Sequence, residues 1–217
     1  MKYKAVVFDV DGTLLDTLEG LLYSVNYSLA LYGFQEKDID TVRRNTGLGV
    51  FELIKKSFPS DTDPQELKKA KRLFLDHYDK TCTAGSEPFP GIMDMLDTLQ
   101  KNGIKMAVAS NKAEEAVIRL NEHFFAKYNF PCIGETPEIN RKPAPDMIIA
   151  AMKALDVTPE ETLYVGDSIT DYHAAAAAEC DCALVTWGFI SEDVLRQVEP
   201  LFFAHDPKEL ASFILNS

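Results

Sequence analysis

The sequence predicts an α/β protein: a parallel β-sheet core with helices on both faces, interrupted by an inserted all-helical domain. Three observations carry that expectation. Short apolar runs rich in Val and Leu, bounded by turn residues, recur along the chain. Helical patterns stand between the later ones, the order of a parallel sheet covered on both sides. Residues 17 to about 84 break the alternation with helix alone.

The predicted strands are "YKAVVFDV" (3–10), "IKMAVAS" (104–110), "TLYVGD" (162–167), "CALVTW" (182–187) and "LFFA" (201–204). Between them, "GIMDMLDTLQKNG" reads as a helix that begins after Pro90 and stops at Gly103. "APDMIIAAMKAL" begins behind two prolines, and "TDYHAAAAAE" is alanine-rich. In the insertion, Leu18, Leu21, Leu22, Val25, Leu29 and Tyr32 recur at helical spacing, with Thr17 as a candidate N-cap and Gly33 as a stop. "VFELIKKSF" follows as a helix, and Asp63, Pro64 and Glu66 stand in N-cap, N1 and N3 order before another. So long a helical stretch exceeds a crossover. It predicts a helical cap domain over 16–85, a core domain over 1–15 and 86–217, and hinges near Leu15–Asp16 and Gly85–Pro88.

Of 217 residues, 46% are hydrophobic and 26% charged, and the net charge is −12. A field of that sign repels nucleic acid and anionic membrane surfaces, so neither is expected as a partner. A phosphorylated metabolite is admitted only where a metal and placed cations reverse the field. No apolar run approaches the roughly 20 residues of a membrane span. "AVVF" is too short for a signal-peptide core and Asp9 ends it. Cys82, Cys132, Cys180 and Cys182 form no CxxC pair and read as small core residues. A monomer or homodimer in the cytoplasm is the expectation.

The first predicted strand ends in Asp9 and Asp11, with Gly12 following at once. Strand alternation puts both carboxylates on one face, about 6–7 Å apart, at the carboxyl end where open α/β sheets bind ligands. Two such groups repel unless a cation or a shared proton intervenes. A hard cation such as Mg²⁺ suits oxygen ligands. The plain alternative is an ordinary turn at Asp11-Gly12. Three further segments carry matching groups. Ser110 offers a hydroxyl, and Asn111 an amide with backbone donors leading into a helix, which suit phosphate oxygens; such a pair is also a common helix cap. Lys142 precedes a proline-started helix and can neutralise a phosphoryl group as a point charge. A lone loop lysine is otherwise simply solvated. Asp167 and Asp171 add carboxylates at a helix start, where capping is the alternative.

In that order, "DVDGT", "ASN", the lysine of "RKPAPD" and "GDSITD" resemble the four motifs of the haloacid dehalogenase superfamily, among its phosphatases with a helical cap. The resemblance spans residues 3 to about 206, and "PFPG" with "VTWG" is similar to the phosphoglycolate phosphatase branch. It implies a Rossmann-like core and a small phosphorylated metabolite as substrate. By resemblance, Asp9 attacks phosphorus to give an aspartyl-phosphate. Asp11 then serves the leaving oxygen as acid and the hydrolytic water as base. Mg²⁺ is held by Asp9, the backbone carbonyl of Asp11 and Asp167, with Asp171 on the metal side. Gly12, Ser110, Asn111 and Lys142 are placed on the phosphate, where charge stabilisation does most of the catalysis. Dehalogenating members lack an acid at the position of Asp11, which therefore points to phosphoryl chemistry. One departure is Glu179, where the family pattern ends a helix with glycine.

The same resemblance gives the cap the choice of leaving group. In "VRRNTGLGVFELI", Arg43, Arg44 and the amides near Gly47 are candidate receivers of an anionic substrate end. Solvated arginines beside a helix-to-helix turn are the equal alternative. The Gly47-x-Gly49 pair has no strand before it and no third glycine, so it is no dinucleotide signature. Lys112 would add positive potential near a phosphate. Rival readings are a β-phosphoglucomutase-like phosphomutase, a pyrophosphatase of the same superfamily, and a receiver-like signalling module. The Asp9-x-Asp11 pair favours turnover over a stable phospho-switch.

Overall fold

Ala5, Val6, Val7 and Phe8 are fully buried and form β1 (Ala5–Phe8), a strand with no polar residue, as burial on both faces requires. In the computed structural model, which describes residues 2–217, β1 is the centre of a parallel sheet. The chain then passes through β2 (Leu15–Asp16), α1 (Leu18–Leu31), α2 (Ile39–Asn45), α3 (Val50–Ser57), α4 (Pro64–Thr81) and β3 (Glu87–Pro88). It continues as α5 (Ile92–Lys101), β4 (Lys105–Ala113), α6 (Glu114–Phe124), β5 (Cys132–Glu135), α7 (Asp146–Leu155) and β6 (Thr162–Gly166). The last elements are α8 (Ile169–Ala177), β7 (Asp181–Val185), α9 (Glu192–Leu195), β8 (Phe202–Ala204) and α10 (Pro207–Asn216).

Among the described residues, six strands make one sheet in the order β5-β4-β1-β6-β7-β8, every neighbouring pair parallel. Val7 stands opposite Ala107 on one side and Tyr164 on the other. Helices cover both faces. Ala5, Val7, Ala109 and Tyr164 pack with Met147, Ile148 and Ala151 of α7 and with Ala174 and Ala175 of α8. The alanine run thus reads as a thin helix face pressed on the sheet. Elsewhere α5 lies against β4, and α10 against α5 and β8.

The chain divides into two compact units: the part through Asp16 together with Pro88–Ser217, and Thr17–Glu87. The first holds the sheet. Within the second, α1 packs on α4 and α2, and α3 on α2 and α4, around Val25, Leu29, Val42, Ile54 and Phe74. Asp63 accepts from the Gln65 N–H at 2.7 Å and Pro64 opens α4, as the capping pattern predicts. Thr17, by contrast, precedes α1 without a side-chain capping bond. No helix among the described residues is long and apolar enough to cross a membrane.

The predicted strand over 3–10 ends at Phe8, so alternation does not extend to Asp11; the chain instead turns through Gly12, at φ +79°. β4 runs on to Ala113 with a register shift after Ala109, so Ser110 and Asn111 lie inside a strand and not at a helix start. β5 was not expected from sequence. It is a half-buried edge strand with one β-branched residue, too weak a pattern to read. Arg43 and Arg44 sit in the last turn of α2 and not in a loop.

Glu179 stands in the left-handed region at φ +59°, and the N–H groups of Glu179 and Cys180 close α8 on Ala176 and Ala175. A side chain there costs about 1 kcal/mol. Glu179→Gly is therefore expected to raise Tm by about 2–4 °C in thermal unfolding, less whatever glycine adds to unfolded-chain entropy. A lowered Tm would mean that Glu179 holds the helix end in some other way.

Candidate active site

Asp9 leaves β1 with its N–H still bonded to the Val165 carbonyl at 2.9 Å, so the sheet itself aims it. It is 8% exposed, and its Oδ1 accepts from the Val10 N–H at 2.7 Å. Lys142 Nζ lies 3.1 Å from that same Oδ1 and 2.7 Å from Asp171 Oδ1. The Tyr164 hydroxyl, 2.8 Å from Lys142 Nζ, completes the ammonium's surroundings and itself donates to Asp171 at 3.0 Å. Ser110, buried at the same strand ends, bonds Asp9 through its hydroxyl.

Asn111 does not offer its amide outward. Its Oδ1 accepts from the Lys142 N–H at 2.7 Å and its Nδ2 donates to the Lys142 carbonyl at 3.0 Å. The amide thus pins the backbone that carries the ammonium. Asp171 is both cap and partner. Ser168 N–H and Oγ donate to its Oδ2 at 3.1 and 2.6 Å, the reciprocal bond of a capping box, while Oδ1 takes Lys142 and Tyr164. Capping and ion pairing therefore hold together here.

Asp167 accepts from the Phe189 N–H at 2.7 Å. A β-carbon on either Gly12 or Gly188 would overlap the Asp167 carboxylate, so the two glycines leave room for it. Trp187 Nε1 donates to the Thr13 carbonyl at 3.0 Å and ties that loop to the first motif. Sequence reasoning met Trp187 only inside "VTWG" and did not find Phe189 or Tyr164. A backbone donor has no sequence signature, and Tyr164 reads as an ordinary strand residue. Asp11 has its Oδ2 3.0 Å from Lys112 Nζ. Arg43 pairs with Asp40, and Arg44 donates to Thr41 Oγ1 at 3.0 Å, both within the helical unit.

Asp9, Asp167 and Asp171 each offer an oxygen within 4.8 Å of the others. Burial raises Asp9 to about 6; Lys142 pulls it down, while Asp171 and Asp11 push it up. Burial raises Asp167 well above the carboxylate range, with Asp171 and Asp9 adding to it. Burial works against the Lys142 ammonium, yet Asp171 and Asp9 outweigh it and hold its pKa above the ordinary value. Three buried carboxylates beside one ammonium leave a net negative site. All-oxygen donors with surplus negative charge fit a hard cation.

A motor of buried carboxylates, one ammonium and a hydroxyl at strand ends suits transfer of an anionic group. Residues 6–185 match the family model of the haloacid dehalogenase-like hydrolases. The chain belongs to that family. The phosphoglycolate phosphatase 1 of Pseudomonas aeruginosa is 34% identical over 86% of this chain and 70% of its own length. The phosphoglycolate phosphatase of Mesorhizobium japonicum is 32% identical over 92% of this chain and 89% of its own. A Pseudomonas aeruginosa relative that acts on N-acetylmuramic acid 6-phosphate is 29% identical over 88% and 84%. A solved structure from Lactobacillus delbrueckii subsp. bulgaricus, assigned only provisionally as a phosphoglycolate phosphatase, superposes at TM-score 0.92 with 32% identity over 100% of both chains. With phosphatase relatives along most of its length, this family member is an enzyme of the phosphatase type.

Proposed function

We propose that the enzyme hydrolyses a small phosphomonoester of the phosphoglycolate kind through an aspartyl-phosphate on Asp9. The observation that carries the reading is the Asp9–Lys142–Asp171 arrangement beside Asp167 and Ser110. The Asp9 carboxylate attacks phosphorus, forming the O–P bond as the ester oxygen leaves with a proton from Asp11. Asp11 then takes a proton from water, which attacks the phosphorus and frees Asp9 and inorganic phosphate. Lys142, already held before the reaction by Tyr164, Asn111 and Asp171, and the Ser110 hydroxyl, bonded to Asp9, meet the transferring oxygens. We assign Mg²⁺ to Asp9, the Asp11 carbonyl and Asp167; when bound, it supplies charge neutralisation at the phosphoryl group. Asp171 has four donors on its two oxygens and serves as the support of Lys142 and of the metal side.

The cation reading has a pH signature. A carboxylate raised from 3.8 to about 6 in the fold keeps its proton longer folded than unfolded. Its stabilisation is complete below 3.8 and is lost as pH rises through about 6, a difference of up to about 3 kcal/mol at about 1.36 kcal/mol per pKa unit. A divalent cation favours the ionised form and reverses that loss. Thermal unfolding with Mg²⁺ against EDTA should therefore show a larger Tm gain at pH 7 than at pH 5. An equal gain at both, or none, would contradict the assignment.

Leaving-group choice we assign to the helical unit, with Arg43, Arg44 and the Gly47 region receiving an anionic substrate end. Phosphate release from a panel of small esters and pyrophosphate tests the substrate. The expected result is a Mg²⁺-dependent rate on 2-phosphoglycolate above that on uncharged alkyl phosphates. Arg43→Ala or Arg44→Ala should raise KM for the acidic ester about tenfold, the value of a charge-assisted hydrogen bond, with kcat kept. Unchanged kinetics in both variants would remove the arginines from the reading. Similar rates on all esters would leave a general phosphatase.

A further inference from the structure

Lys112 is 5% exposed, and burying an ammonium is costly unless a partner compensates it. Its partner is the Asp11 carboxylate, 3.0 Å away, with the two side chains 3% and 16% exposed. Lys142 holds Asp9 and Asp171, whereas Lys112 holds Asp11, which lies outside the Asp9–Asp167–Asp171 cluster. The fold arranges this by carrying β4 through Ser110, Asn111 and Lys112 before α6 begins at Glu114. A helix started directly after Asn111 would remove Lys112 from the strand end.

We propose that Lys112 is a positioning residue that fixes the Asp11 carboxylate for proton exchange with the leaving oxygen. The proposal rests on the reading of Asp11 as the acid/base group. An acid/base carboxylate beside a cation site must stay out of the metal's own ligand set, and its pairing with a buried ammonium opposes that drift. A short aspartate side chain held at one oxygen by a buried cation keeps a single orientation. Lys112 therefore acts through Asp11 and touches neither phosphorus nor the leaving group.

Leaving-group dependence separates this role from a structural one and from direct phosphate binding. An alkyl phosphate needs its leaving oxygen protonated, whereas p-nitrophenyl phosphate releases a stable anion. Wild type, Lys112→Met, Lys112→Arg, Asp11→Asn and the Lys112→Met/Asp11→Asn double variant are assayed on both esters with Mg²⁺. General acid catalysis is worth about 10²–10⁴-fold. Lys112→Met should accordingly lose about tenfold or more in kcat on the alkyl ester and less than about threefold on the aryl ester. Lys112→Arg should recover part of the alkyl rate, and the double variant should be no slower than Asp11→Asn. The ratio of the two rates is internal to each variant, so partial unfolding lowers both and leaves it unmoved. Equal losses on both esters, a rise in KM alone, or multiplicative losses in the double variant would overturn the proposal. A split in Asp11→Asn that Lys112→Met lacks overturns the proposal alone. Absence of the split in Asp11→Asn overturns the acid/base reading itself, and the proposal with it.

Discussion

Asp9→Asn is expected to lose turnover by about 10⁴-fold or more while unfolding at the same or a higher temperature than wild type in EDTA. The first half follows from the proposed chemistry: an amide is no nucleophile toward phosphorus. The second half follows from the electrostatics. Asp9 is 8% exposed, and burial raises its pKa to about 6 against the pull of Lys142. Removing that charge relieves Asp167, whose own shift includes repulsion from Asp9. Lys142 keeps Asp171 at 2.7 Å as its partner. Stability gained where activity is lost marks a residue held for chemistry at the expense of the fold. Parallel measurement of kcat and of Tm in EDTA checks it, and a large fall in Tm would identify Asp9 as a structural residue.

Lys142→Met should lose both activity and stability. The ammonium is bonded to Asp9, Asp171 and Tyr164 together, so its removal leaves buried carboxylates facing one another uncompensated. Breaking a buried ion pair by deleting one partner costs about 3–5 kcal/mol. For a chain of this size that is a Tm lower by about 6–20 °C, at about 2–4 °C per kcal/mol. Turnover should fall about 10³-fold, because the charge proposed to meet the transferring oxygens is gone. Added Mg²⁺ should recover part of the Tm and none of the rate. Lys142→Arg should not rescue, since a planar fork does not fit the space of a compact ammonium between two carboxylates and a phenol. A variant with wild-type kcat would remove Lys142 from the mechanism.

Much of this fold was legible in the sequence because burial on both faces leaves strands with almost no polar letters. Ala5–Phe8, Thr162–Gly166 and Asp181–Val185 are of that kind. What hid was of two kinds. β5 is an edge strand, half-exposed and short, and β4 continues through Asn111 and Lys112, polar residues that read as a strand end leading into a helix although they are 6% and 5% exposed. The site divides likewise. The order of Asp9, Ser110, Lys142, Asp167 and Asp171 and their placement at predicted strand ends and before helices pointed to one place, and the structure brings those residues together. The second use of each could not be read. Asn111 spends its amide on the Lys142 backbone, Phe189 supplies only an N–H, and Lys112 meets Asp11 from a strand about a hundred residues away.

The covalent intermediate is the claim on which the mechanism stands. In the proposed mechanism Asp11→Asn loses the base that serves the hydrolytic water but keeps Asp9, and p-nitrophenyl phosphate needs no acid to leave. Mixed rapidly with that ester and Mg²⁺, then quenched in acid, this variant should release a burst of about one equivalent of nitrophenol. Peptide mass mapping should then place one phosphate on Asp9. Steady release with no burst and no phosphopeptide, or phosphate found on another residue, would contradict the account.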